Sequence, residues 1–236
     1  MSGVQIPPPV LNGVDTPFFI LIVLFLNGED KMKLVLKFFV ITLVLIVIIA
    51  CQQIKNVTHT LSNFSAPRFK IENITEFKLA GIPLATKSSI NDFSPIDAVK
   101  LGQEVARNRL PASFIINIAV KNPNTGVGGS KPIPVTLKKM DWVLFIDGVQ
   151  TISGKLNKEF QYPANNTIGY LPLEVSLDLF EFFGNRGYEG LINLALYLGG
   201  VRSDPSKIVI EAVPTFSTPF GDYQSPKIRI NSDSFN

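Results

Sequence analysis

The stretch Ala112-Ser113-Phe114-Ile115-Ile116-Asn117-Ile118-Ala119-Val120-Lys121, followed at once by Asn122-Pro123-Asn124-Thr125-Gly126, decides the fold. Phe114, Ile116, Ile118 and Val120 recur at period two, with Ser113, Asn117 and Lys121 on the opposite face. That pattern predicts a strand with one side buried and one side wet. The run after it carries turn chemistry: proline fixes φ, while Asn and Gly tolerate positive φ.

The same alternation extends outward in both directions. Val135–Ile146 predicts a second strand, with Trp142, Leu144 and Ile146 on one face. Asp147-Gly148 is a strong hairpin dipeptide. Residues 149–160 predict the returning strand, with Ile152, Leu156 and Phe160 opposed to Ser153, Lys155 and Glu159. Pro163-Ala164-Asn165-Asn166 marks another turn. Residues 167–175 predict a strand in which Pro172 signals an edge or a bulge. Residues 68–84, 207–216 and 223–230 add three more.

Two regions are helical in pattern, near 94–110 and 177–198. Ser94-Pro95-Ile96-Asp97 supplies a cap, a proline at the first helical position and an acid in the first turn. Ile96, Val99 and Val105 are expected to share its buried face. The second helix is expected to start at Ser176 and run to Gly184, with 189–198 extending it. Short strands separated by turn signals, with few helices, predict an all-β fold with added helices, an antiparallel β-sandwich.

Composition sets limits on chemistry. The chain has 236 residues, a net charge of +3 and scattered basic residues, so no nucleic-acid-binding stripe is visible. It holds one Cys, Cys51, and one His, His59, both beside the apolar N-terminal region. The domain after them therefore lacks Cys or His nucleophile–base pairs, His/Cys zinc sites and a disulfide framework. No cofactor, metal or catalytic residue is expected.

The N-terminal region predicts attachment to a membrane. Lys31, Lys33 and Lys37 precede an apolar run from Phe38 to Ala50, the layout of a secretory leader. The run ends Ile48-Ile49-Ala50-Cys51, which resembles a bacterial lipobox and implies lipidation of Cys51. Gln52 after that Cys would, by analogy with lipoprotein sorting, favour the outer membrane of a diderm cell. The alternative is a single-pass signal anchor over 34–50, short for a span of about 20 residues. Residues 1–51 are thus an extension plus leader or anchor, 52–67 a polar tether containing His59, and 68–236 the folded domain, held at the cell envelope. N-x-[ST] matches at Asn56, Asn63, Asn73 and Asn165 carry weight only in a eukaryotic secretory pathway.

The order of these marks resembles a known family. The apolar strand into Lys121-Asn122-Pro123-Asn124, then Trp142 to Asp147-Gly148, Ile152-Ser153-Gly154, Tyr162 to Thr167 and Leu171 to Leu179 is similar to the type 2 late embryogenesis abundant (LEA-2) domain, also called the water stress and hypersensitive response domain. The resemblance covers about residues 68–230, with 88–109 as an insertion. It implies a fibronectin-III/immunoglobulin-like sandwich without a catalytic site. It also implies a link to desiccation and stress tolerance, with membrane-attached members in plants and bacteria.

Candidate sites have plain structural readings beside their chemical ones. Asp178 and Glu181, three apart, suit a helix terminus better than acid–base work. Asp141 and Asp147 fit a strand edge and a turn. Asp92, Asp97 and Glu104 lack calcium-loop spacing. Gly126 to Lys131 lacks the phosphate-loop pattern. Phe180, Phe183, Leu191, Leu194 and Leu198 read first as core; the functional alternative is a hydrophobic groove for an acyl chain or an apolar peptide, beside weak contact of exposed apolar surface with membranes or partially unfolded protein. Three roles follow as expectations: weak protective binding, lipid carriage, or service as an accessory subunit of an envelope complex.

Overall fold

The computed structural model describes Lys33, Ile46 and residues 36–44, 64–126, 131–219 and 221–235. The chain forms two compact units, Met1–Thr58 and His59–Asn236. In the first, residues 36–44 are helical, and Leu36, Phe39 and Ile41 all project outward. No helix among the described residues is long and apolar enough to cross a membrane. Cys51 and His59 lie outside the described residues.

The second unit contains β1 (Arg68–Leu79), β2 (Ile82–Pro83), α1 (Pro95–Ala106), β3 (Pro111–Lys121), β4 (Val135–Ile146), β5 (Val149–Leu156), β6 (Phe160–Tyr162) and β7 (Ile168–Asp178), then α2 (Leu179–Phe183), α3 (Gly187–Gly199), β8 (Ile208–Thr218), β9 (Gly221–Gln224) and β10 (Ile228–Ile230). One sheet has the order β2-β1-β3-β7. The other has β10-β8-β4-β5, with β6 also on β4 and β9 also on β8. Every pairing is antiparallel. The two sheets and added helices form the all-β sandwich that the alternation predicts.

Each inward face is apolar because the side chains alternate. Phe114, Ile116, Ile118 and Val120 of β3 are buried, as are Trp142, Leu144 and Ile146 of β4. Phe69 of β1 meets Phe216 of β8 across the sandwich, ring centroids 6.1 Å apart. One cluster gathers the buried apolar residues from Phe69 to Ile230, so the second unit carries its own core. The helices extend that core: Leu191, Ile192 and Leu198 of α3 are fully buried, and Gly199 packs so tightly on Phe77 of β1 that an added Cβ would lie 2.1 Å from the Phe77 Cβ.

Several elements differ from the expectation. The strand expected over 149–160 is two: β5 pairs with Met140 to Ile146, and β6 pairs with Val135 to Leu137. A break lets one edge follow the irregular register of β4. Residues 223–230 split likewise into β9 and β10 along β8. β7 runs on to Asp178, where a helix was expected from Ser176, because Leu177 still alternates into the core opposite Ala112. On α1 the buried residue is Leu101, whereas Ile96 and Val99 are 80% and 60% exposed. Of the expected face only Val105 packs against the core, one turn after Leu101, while Ile96 and Val99 turn to solvent.

Candidate functional site

The Asn-Pro-Asn run is more than a turn. Asn122 is fully buried and Asn124 nearly so. The Asn122 side-chain amide donates to the Ile133 carbonyl at 2.9 Å and to the Tyr162 carbonyl at 3.2 Å. Its Oδ1 accepts from the backbone N–H of Asn124 at 3.1 Å and from Asn124 Nδ2 at 2.8 Å. Asn124 in turn donates to the Ser65 carbonyl and accepts from the Ser65 N–H, at 2.7 and 2.8 Å, while its own carbonyl accepts from Ile133 N–H at 3.0 Å. Two asparagines thereby fasten the lead-in to β1, the end of β3, the approach to β4 and the end of β6. Positive φ is not what they supply: in this run only Gly126 has it, at 83°. Buried amides earn their place by satisfying backbone groups that the strands leave open.

This end is also where the chain enters the domain. Phe64 packs edge-on against Tyr223, centroids 5.6 Å apart, just ahead of Arg68. In the first sheet, Arg68 pairs with Lys121 and Lys121 with Ile168. In the next outward-facing row Lys70 pairs with Ala119 and Ala119 with Tyr170. Paired residues stand on the same face about 5 Å apart, and this is the face turned away from the core. Ile168 is 48% exposed and Tyr170 57%. Among the described residues, Arg68, Lys70 and Lys121 make no salt bridge. Asp222, at the same end of the second sheet, is taken by Lys138 at 2.9 Å, which holds its carboxyl below the usual range.

Further along that outer face the chemistry changes. Asn117 donates to Asn73 at 2.7 Å and to Thr75 at 3.0 Å. Beyond them lies an open concavity of about 530 Å³, lined by Glu76, Lys78, Ser113, Ile115, Glu174 and Ser176 among others. Glu76 sits at φ 54° beside a register shift in β1, so a bulge shapes the hollow.

The far end of the sandwich is ionic. Asp147, in the hairpin turn at φ 51° with Gly148 at 80°, pairs with Arg186 at 2.8 Å and Lys207 at 3.1 Å. Arg186 and Lys207 hold its carboxyl below the usual range. Arg186 lies over the Phe183 ring and Lys207 over Tyr197. Tyr197 donates to Asp204 at 2.7 Å, lowering that carboxyl's pKa too. These contacts pin α3 and its flanks to the β4–β5 hairpin.

Most of the other sequence candidates are accounted for by local structure, whereas residues 127–130 of the glycine-bearing loop lie outside the described residues. Asp178 Oδ1 accepts from the N–H of Leu110 at 2.6 Å and of Phe180 at 2.9 Å, capping α2. Asp97 completes a capping box with Ser94, and Asp92 one with Ser89. Hydrogen bonds from Ser94 and from the Ser88 and Ser89 amides keep these two carboxyls below their usual range. Glu104 faces Arg107 and Arg109 instead of the two aspartates. Among the described residues no three potential ligands gather as a metal site. Of the groove residues, Phe183, Leu191, Leu194 and Leu198 are buried in the core and Phe180 packs against it. They are together, as the spacing suggests, but as core contacts.

Comparison with known proteins adds fold likeness only. No protein-family model and no curated protein matches the chain. Among solved structures, one described as a candidate late embryogenesis abundant (LEA) protein is similar at 12% identity, over 75% of this chain and 78% of that one, with a TM-score of 0.32. A protein from Archaeoglobus fulgidus is similar at 10% identity over 71% and 94%, with a TM-score of 0.30. A candidate ApaA protein from Bordetella pertussis is similar at 7% identity over 68% and 92%, with a TM-score of 0.28.

Proposed function

We propose that this chain is a non-enzymatic, membrane-tethered LEA-2-like sandwich that protects the cell envelope under stress or desiccation by weak, non-covalent binding. The observation that carries the reading is the asparagine node. The mark by which the sequence resembles LEA-2 domains is a buried hydrogen-bond network that fixes the chain's point of arrival to the sandwich. Asp92, Asp97, Glu104, Asp141, Asp147 and Asp178 are spent on caps and ion pairs, which supports binding over bond-making. The apolar leader ending at Cys51 supports attachment, by a lipid on that Cys or by a single span.

The test is a client assay. An aggregation-prone enzyme is heated or dried with and without the unit spanning 59–236. Protection at comparable mass ratio is expected; aggregation equal to that seen with an inert protein overturns the reading. Intact-mass measurement of the mature protein decides the attachment: a diacylated Cys51 is expected, and an unmodified Cys51 within a full-length chain points to the span.

A further inference from the structure

We propose that the outer face of β1, β3 and β7, at the end where the chain enters, docks on an anionic lipid surface. The inference rests on the membrane-tethered reading above and supplies its contact surface. Arg68, Lys70 and Lys121 stand on one face in adjacent rows with Ile168 and Tyr170. Two properties are combined there. The cations have no carboxylate partner among the described residues, so their charge is available to an external anion. The two apolar neighbours are about half exposed. Tyrosine carries an apolar ring with a polar tip, the combination that favours the headgroup level of a bilayer. Lys and Arg lay apolar stems along such a surface and keep the charge at the phosphates.

Position selects a membrane over a soluble acidic partner. The patch begins at Arg68, where the described chain leaves the asparagine node. The 17 residues 51–67 connect it to the end of the apolar run. A chain of that length reaches at most roughly 60 Å, so an anchored domain never leaves the neighbourhood of the bilayer. Tethering raises the effective concentration of the surface, so a patch of three charges and two apolar side chains suffices where it would not for a free protein. The balance of charge also shifts along the face: Glu76 and Glu174 outnumber Lys78 in the hollow at its other end, which makes that end the less attractive to an anionic surface.

The experiment uses the unit 59–236, which carries its own core, and vesicles of equal parts phosphatidylglycerol and phosphatidylcholine. The expected result is co-sedimentation that disappears with phosphatidylcholine alone and in high salt. The triple variant R68Q/K70Q/K121Q is expected to lose about five-fold in partition per charge. Y170S, which leaves the charges in place, is expected to weaken binding several-fold, and R202Q, an exposed cation two residues before Asp204 at the ionic end, to leave it unchanged. Circular dichroism establishes that each variant is folded. Equal binding by the triple variant, no binding by the parent unit, or retention on polyglutamate without retention on vesicles overturns the proposal. Carbonate extraction of membranes holding the full chain tests the anchor separately: a chain extracted as soluble sinks the tether while vesicle binding by the unit still stands.

Discussion

At the residue scale, the decisive side chain is Asn122. Its amide serves two carbonyls and its oxygen two N–H groups in a place closed to water. Truncation leaves those groups unpaired, at 1–3 kcal/mol for each that finds no water. N122A is expected to destabilise the unit by about 3 kcal/mol in urea unfolding; a loss below about 1 kcal/mol would refute the node as a keystone. N122D keeps the shape but cannot donate to both the Ile133 and Tyr162 carbonyls and buries a carboxyl beside them, so it is expected to be at least as damaging in the same unfolding measurement. None of this was legible in the sequence. Asn-Pro-Asn reads as a generic turn, and only the fold reveals that four chain segments converge on it. Tyr162 is a second example: its ring fills the space above Gly169, and burial pushes its phenol pKa up. Nothing about Phe-Gln-Tyr in one short strand announces that.

At the element scale, the strands were readable because period two survives wherever one face is wet. β4 begins and ends where the alternation begins and ends, and Asp147-Gly148 turns in the left-handed region as that dipeptide should. The helices were less readable. α1 carries apolar residues on two sides, and tertiary packing chose Leu101 over Ile96 and Val99. The start of α2 was missed because Asp178 serves both as the last strand residue and as the cap. D178A is therefore expected to cost more than an ordinary cap, about 2 kcal/mol, since it frees the N–H of Leu110 as well as that of Phe180; chemical denaturation measures it, and a loss of a few tenths would refute the double role. The Asp147 ion pairs make a pH prediction. Arg186, then Lys207, lower the folded pKa of Asp147 below its unfolded value near 3.8. The stabilisation is present above that unfolded value and is lost as pH falls through the folded one. R186Q is expected to melt below the parent at pH 7, by the equivalent of about 0.5–1 kcal/mol for a pair at this exposure. The gap is expected to narrow steadily as pH falls below 3.8 and through the folded value; one that stays constant over that descent would assign the effect to Arg186 stacked on Phe183 instead.

At the scale of the whole molecule, the sandwich has open edges, and the register shows how one of them is guarded. β7 ends its sheet and pairs with β3 without a shift from Pro111↔Asp178 to Lys121↔Ile168. Pro111 and Pro172 each fall in pairs of the same parity, Pro111↔Asp178 and Pro172↔Asn117, where no ladder donor is required. Leu179 N–H, of the other parity, does bond inward, to the Leu110 carbonyl. The even-numbered residues of β7 therefore point their backbone groups outward, and Pro172 removes the central donor from that outward row. An unbroken edge of 11 residues would be a template for another copy. The sequence reading of Pro172 as an edge marker thus holds at a larger scale than the strand itself: it limits what the molecule can associate with. P172V restores the donor and a β-branched side chain on an exposed face, with little change to the core. The expected outcome is concentration-dependent self-association of the unit 59–236 in sedimentation velocity while the parent stays monomeric. If P172V also sediments as a monomer throughout, the edge is guarded by something other than this proline.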